Sequence, residues 1–86
     1  MLKGFSSAAE LGAACRRARR NLGMRLEDAA LAAGVNYRFA SEIENGKPSA
    51  QIDLTLRYAT TLGITLFYEL HDTDEGVQTL HRTGRS

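Results

Sequence analysis

Four glycines, at positions 23, 34, 46 and 63, cut the chain into short lengths, and each length before them carries an apolar repeat of helical period. Each glycine is placed to close a helix, because a residue without a Cβ enters the left-handed region at little cost. The first helix opens at Ser7-Ala8-Ala9-Glu10. A serine three residues before a glutamate is the capping-box pattern, in which each side chain is expected to meet the other's backbone amide. Leu11, Ala14, Cys15, Ala18 and Leu22 then form one apolar stripe, flanked by Arg16, Arg17, Arg19 and Arg20, and Gly23 ends the helix. A second helix is expected over 26–33, with Glu27 and Asp28 in its first turn, where the helix dipole favours acids. Asn36 is placed to cap a third helix over about 37–45, closed by Gly46. Lys47-Pro48-Ser49 is a loop with the chain's only proline. A fourth helix over about 50–62 sets Ile52, Leu56, Ala59 and Leu62 on one face.

The period changes after Gly63. Ile64, Leu66, Tyr68 and Leu70 alternate with Thr65, Phe67 and Glu69, which reads as a β-strand, with a helix as the competing reading. A lone strand cannot satisfy its own backbone groups, and nothing else in the chain reads as a strand. The simplest partner is the same strand from a second copy across a two-fold axis. The alternative is that residues 64–70 pack on the helices as an extended segment. Residues 72–86 are polar and poor in apolar side chains, which predicts a flexible tail.

At 86 residues the chain makes one small domain, able to bury only about 60–65% of its unfolded surface. Its single cysteine excludes an internal disulfide, so association is the remaining way to enlarge the core. No apolar run approaches the length of a membrane helix, and no long apolar leader opens the chain, which predicts a cytoplasmic protein working at the nucleoid, with no membrane partner. The net charge of +1 conceals an asymmetry: Lys3, Arg16, Arg17, Arg19, Arg20 and Arg25 face Glu10 alone in the first 25 residues, and the other acids lie later. A basic end suits an anionic partner, and it is equally compatible with a solvated helix face.

The informative window is 26–45. Two short helices meet at Gly34; Ala30 is small where their backbones approach, and Val35, Ala40 and Ile43 recur as inward anchors. This is a helix-turn-helix corner. Ala30, Gly34, Val35, Ala40, Ile43 and Glu44-Asn45-Gly46-Lys47 resemble the phage Cro/repressor-type (XRE) helix-turn-helix family over about residues 11–63. The resemblance implies an all-α, lambda-repressor-like bundle of four helices. It also implies a buried ion pair between Arg19 and Glu44, a structural rather than a DNA-reading role. Phe39-Ala-Ser-Glu-Ile-Glu-Asn-Gly-Lys-Pro48, followed by Leu62-Gly63-Ile64 and an extended segment, is more specifically similar to HipB-type antitoxins. That similarity implies a C-terminal strand pairing across a homodimer, repression of the protein's own operon and a HipA-like kinase toxin as partner. The chain departs from the family where Thr-Gln or Ser-Gln usually opens the second helix: it has Arg25 and Leu26, and only Arg25 can meet a phosphate. Ala29 and Ala40 are smaller than the usual Leu and Ile, so Phe39 is expected to fill the space.

With Val35, Ala40 and Ile43 inward, the outward arc of the third helix holds Asn36, Tyr37, Arg38, Ser41, Glu42 and Asn45. A helix in the major groove presents its N-terminal half to base edges. Arg38 is the candidate for a bidentate contact to guanine, Tyr37 for a thymine methyl or a phosphate, and Ser41 for a base edge. Glu42 either accepts from a cytosine amino group or repels phosphate and restricts the site. Asn36, Asn45 and Lys47 lie where the helix ends would pass the sugar–phosphate backbone, although both asparagines also read simply as caps. Arg16, Arg17 and Arg20 read as phosphate contacts or as solvated charges.

Enzyme chemistry finds no support. Cys15, His71 and His81 lack metal-ligand spacing, Cys15 falls on the apolar stripe, and no glycine-rich phosphate loop or nucleophile elbow is present. No cofactor is expected. The expected organisation is an arm over 1–6, a DNA-binding domain over 7–63, a dimerisation strand over 64–71 (Ile64, Leu66, Tyr68, Leu70) and a tail over 72–86. The expected function is a repressor that binds an inverted repeat of double-stranded DNA as a homodimer. The alternatives are a toxin-neutralising interaction module and a stand-alone phage-type regulator, which would carry a helix over 64–70.

Overall fold

The computed structural model describes residues 4–48, 51–67 and 70. Expectations for Tyr68, His71, His81 and the tail over 72–86 lie outside the described residues, as do Lys3 of the arm and Ala50. Four helices follow in order: α1 (Ala8–Asn21), α2 (Leu26–Ala33), α3 (Tyr37–Glu44) and α4 (Ile52–Thr61).

Every one of them leaves through a glycine at positive φ: Gly23 at 71°, Gly34 at 75°, Gly46 at 77° and Gly63 at 88°. Around each, the amide of the residue after the glycine bonds back five residues, as in Met24 N–H to Arg19 O at 3.2 Å and Ile64 N–H to Ala59 O at 3.1 Å. These are Schellman closures, which satisfy the carbonyls a helix end would otherwise leave open.

At the start of α1, Ser7 Oγ accepts the amide of Glu10 at 3.2 Å. The return bond does not go to Ser7. The Glu10 carboxylate accepts from the Ser6 amide at 2.6 Å, and the same oxygen also meets the Ser6 hydroxyl at 3.4 Å. Ser6 offers that oxygen two donors, which moves the reciprocal half of the cap one residue upstream.

The core is Cys15, Ala29, Ala30, Ala33, Ala40, Ile43, Tyr58, Ala59 and Leu62. Five of these nine are alanines, so the helices must approach closely, and one large side chain fills what remains. That side chain is Tyr58, fully buried on α4; Phe39 is only half-buried at the edge of the core. α4 is therefore turned from the expected face: Tyr58, Ala59 and Leu62 point inward, while Ile52 (58% exposed) and Leu56 face out. The apolar stripe of α1 also stops short. Leu22 is the C-cap and exposed, and Met24, folded back after Gly23, packs on the core in its place.

Close approach is most severe where α1 crosses α3. Gly12 is buried there, and a Cβ on it would sit 2.3 Å from the Ile43 carbonyl oxygen and 2.9 Å from that of Glu44. Only glycine fits, which is why a residue of poor helix propensity stands in mid-helix.

Among the described residues no strand is formed. Residues 64–67 carry neither helix nor strand; Ile64 and Leu66 are half-buried against the core, and Thr65, Phe67 and Leu70 are exposed. No described helix is long and apolar enough to cross a membrane.

Candidate nucleic-acid interface

The corner is built from α2, Gly34 and α3. α2 starts after Arg25, whose amide donates to Asp28 Oδ2 at 3.3 Å and whose guanidinium Nε reaches the same oxygen at 3.2 Å. The Arg25 hydrogen bonds hold the Asp28 carboxyl below its ordinary pKa. Arg25, the candidate phosphate anchor, is thus exposed and tied to α2 by an ion pair. After Gly34, Val35 N–H bonds back to Ala30 O at 3.0 Å, and the Asn36 side-chain oxygen accepts the Phe39 amide at 2.7 Å, which starts α3. Arg57 on α4 donates to the Ala33 carbonyl at 3.4 Å and pins the end of α2.

What fixes α3 is an ionic cluster at its C-terminal end. Glu44 is only 4% exposed. Its carboxylate accepts two hydrogen bonds from one guanidinium, Arg19 Nε to Oε2 at 2.8 Å and Nη2 to Oε1 at 2.9 Å. The Tyr58 hydroxyl donates a third to Oε2 at 2.6 Å, and Arg16 Nε stands 3.5 Å from Oε1. Arg19 also donates to the Met24 carbonyl at 3.0 Å, so α1, α3, α4 and the α1–α2 turn share one charge network. Burial opposes the ionised carboxylate, but the Arg19 and Tyr58 hydrogen bonds with the Arg19 charge outweigh it and hold Glu44 below its ordinary pKa. The Tyr58 hydroxyl is raised, by burial first and then by its bond to Glu44. Burial, aided by the nearby Glu44 charge, pushes the Cys15 thiol up to about 11, so it is protonated at neutral pH and unsuited to nucleophilic chemistry.

α3 turns a different face to solvent. Arg38 has an 87% exposed side chain and Tyr37 is 56% exposed. Ser41 and Glu42, expected on the open arc, are half-buried. Ser41 Oγ lies 3.4 Å from Asn45 Nδ2, and Glu42 stands between Arg38 and Lys47. Asn36 is the α3 cap and exposed; Asn45 is exposed and accepts from Arg16 Nη2 at 2.9 Å. Arg16 therefore points along α1 toward the end of α3, while Arg17 and Arg20 remain exposed on α1. Lys47 is exposed beyond Gly46. No group of three or more metal-ligating side chains occurs among the described residues.

A helix-turn-helix family model matches residues 16–68, the stretch from Arg16 through both corner helices to the segment past Gly63. The chain belongs to the helix-turn-helix family. This is the XRE-type helix-turn-helix family, whose members are DNA-binding transcriptional regulators. The helix-turn-helix chain is also 38% identical over 66 residues to a Sinorhizobium fredii protein named as an uncharacterized HTH-type transcriptional regulator, y4mF. That alignment covers 77% of this chain and 87% of the relative.

Two residues of the helix-turn-helix scaffold are missed by sequence reasoning. Gly12 left a signal, since an isolated glycine within a helical pattern usually marks close packing. Tyr58 left none: its link to Glu44, fourteen residues away, exists only once α4 is docked.

Proposed function

We propose that the protein is a sequence-specific transcriptional repressor that sets α3 into the major groove of double-stranded DNA. The observation that carries this reading is the contrast within α3: Ala40, Ile43 and Glu44 are locked into the core, and that anchorage aims Tyr37 and Arg38 outward from its N-terminal turn. Arg38 reads guanine, Tyr37 meets a thymine methyl or a phosphate, and Ser41 and Glu42 lie at the edge of the read surface. Arg25, Asn36, Asn45, Lys47, Arg16 and Arg20 flank it toward the phosphates. A single corner offers few base contacts, so the working unit is a homodimer on an inverted repeat, its recognition helices about 34 Å apart. In this reading Ile64, Leu66, Tyr68 and Leu70 supply the pairing segment. In its fullest form the reading makes the protein the antitoxin and autorepressor of a HipBA-like operon, with a HipA-like kinase toxin as partner.

The experiment is selection of duplexes from a random library by the full chain. Enrichment of an inverted repeat supports the reading, and Arg38→Ala should then relax preference at one position of each half-site by about 1–3 kcal/mol. Uniform recovery of all sequences would defeat it. Co-purification with the product of an adjacent gene tests the toxin partnership separately.

A further inference from the structure

Two cations beside the α3 surface converge on one atom. Arg38, in the first turn of α3, places Nε 3.8 Å from Glu42 Oε2; Lys47, beyond Gly46, places Nζ 3.5 Å from the same oxygen. Glu44 is engaged by Arg19 in the core and Asp28 by Arg25 on α2. Glu42 is the acid that bridges the two cations across the α3 surface.

We propose, resting on the DNA-binding reading above, that Glu42 is a specificity-determining residue that holds Arg38 and Lys47 off non-cognate DNA. A duplex that offers only phosphates must draw both cations away from Glu42 and leave that carboxylate beside a polyanion. Both cations are largely solvent-exposed, so the pairs are weak enough to exchange. The remaining like-charge repulsion supplies the penalty, and it falls on every sequence that gives nothing in return. A cognate site does give something in return: guanine takes Arg38 through two hydrogen bonds, and a neighbouring cytosine amino group donates to the Glu42 carboxylate. Glu42 thus widens the gap between right and wrong DNA by weakening the wrong complex.

The test uses the full chain, the duplex it selects from a random library and a scrambled duplex of the same length, titrated over a range of KCl. Glu42→Gln should bind the scrambled duplex about five- to tenfold more tightly, while the selected duplex, which loses the charge on the cytosine contact, should gain nothing, so the ratio between the two duplexes shrinks by at least that factor. Its log K against log salt slope on the scrambled duplex should steepen by about 1–2, because two freed cations add phosphate contacts. Glu42→Asp keeps the negative charge, one methylene further back, and should therefore retain most of the selectivity that Glu42→Gln loses. Equal tightening on both duplexes, or a Glu42→Asp variant that loses as much selectivity as Glu42→Gln, would overturn the proposal. If wild type enriches no sequence at all, the DNA-reading role falls and this one falls with it. Thermal midpoints of both variants should stay within a few degrees of wild type, since the Glu42 side chain pairs only with exposed cations.

Discussion

The two ends of α3 handle charge in opposite ways. At its C-terminal end Glu44 is sealed in the core, with Arg19 and Tyr58 donating to its oxygens at 2.6–2.9 Å. At its N-terminal end Arg38 is almost wholly in water and meets Glu42 only at 3.8 Å. A buried charge without partners is costly, so the first arrangement allows one geometry; an exposed pair is weak, so the second leaves the cation free to change partners. One end fixes where the helix lies, and the other remains able to bind. The comparison makes a ranking: substitutions at the sealed end should cost stability, and those at the open end should alter DNA recognition alone.

Glu44→Gln should have the largest effect. It strands the Arg19 guanidinium, whose side chain is only 12% exposed, and should lower the unfolding free energy by about 3–5 kcal/mol in urea titration. A loss under about 1 kcal/mol would mean the cluster is not what holds α3. Gly12→Ala comes next. The added Cβ meets backbone rather than a movable side chain, so α1 and α3 must separate, at about 1–3 kcal/mol.

Tyr58→Phe sharpens the comparison through pH. It removes one hydrogen bond to a carboxylate, worth about 1.5–3 kcal/mol. Because the folded pKa of Glu44 is depressed, its contribution to stability is present above its ordinary value of 4.5 and is lost as pH falls through the folded value. Without the Tyr58 bond the folded value rises toward 4.5, so the acid-unfolding midpoint should move to higher pH. An unmoved acid limb, followed by circular dichroism, would assign the acid sensitivity to other carboxylates.

Much of this architecture is legible in the sequence because it is local. A glycine at positive φ ends a helix whatever surrounds it, so Gly23, Gly34, Gly46 and Gly63 mark where all four helices end, and Asn36 marks where α3 begins. The misplaced features depend on what docks where. Periodicity ranks Ile52 and Leu56 with Ala59 and Leu62, yet a tyrosine able to reach a buried carboxylate turns α4 so that Tyr58 goes inward and Ile52 outward. At the candidate site, the inward register of Ala40 and Ile43 leaves Tyr37 and Arg38 open, a local consequence of helical period. The half-burial of Ser41 and Glu42, and the turn of Arg16 toward Asn45, depend on side chains one turn away or on another helix, and no spacing reveals them.

The smallest stability effect belongs to the residue with the greatest role in the proposed binding. Arg38→Ala removes an exposed pair and one side chain from the open face, so its unfolding free energy should lie within about 0.5 kcal/mol of wild type. Its preference among selected duplexes should nonetheless collapse at one position. A loss of stability near that of Glu44→Gln would show that the N-terminal turn of α3 is tied into the fold just like its other end, and the division between a fixed end and a reading end would fail. Unchanged stability with unchanged selectivity would preserve the division and move the reading to Tyr37, the other open side chain of that turn.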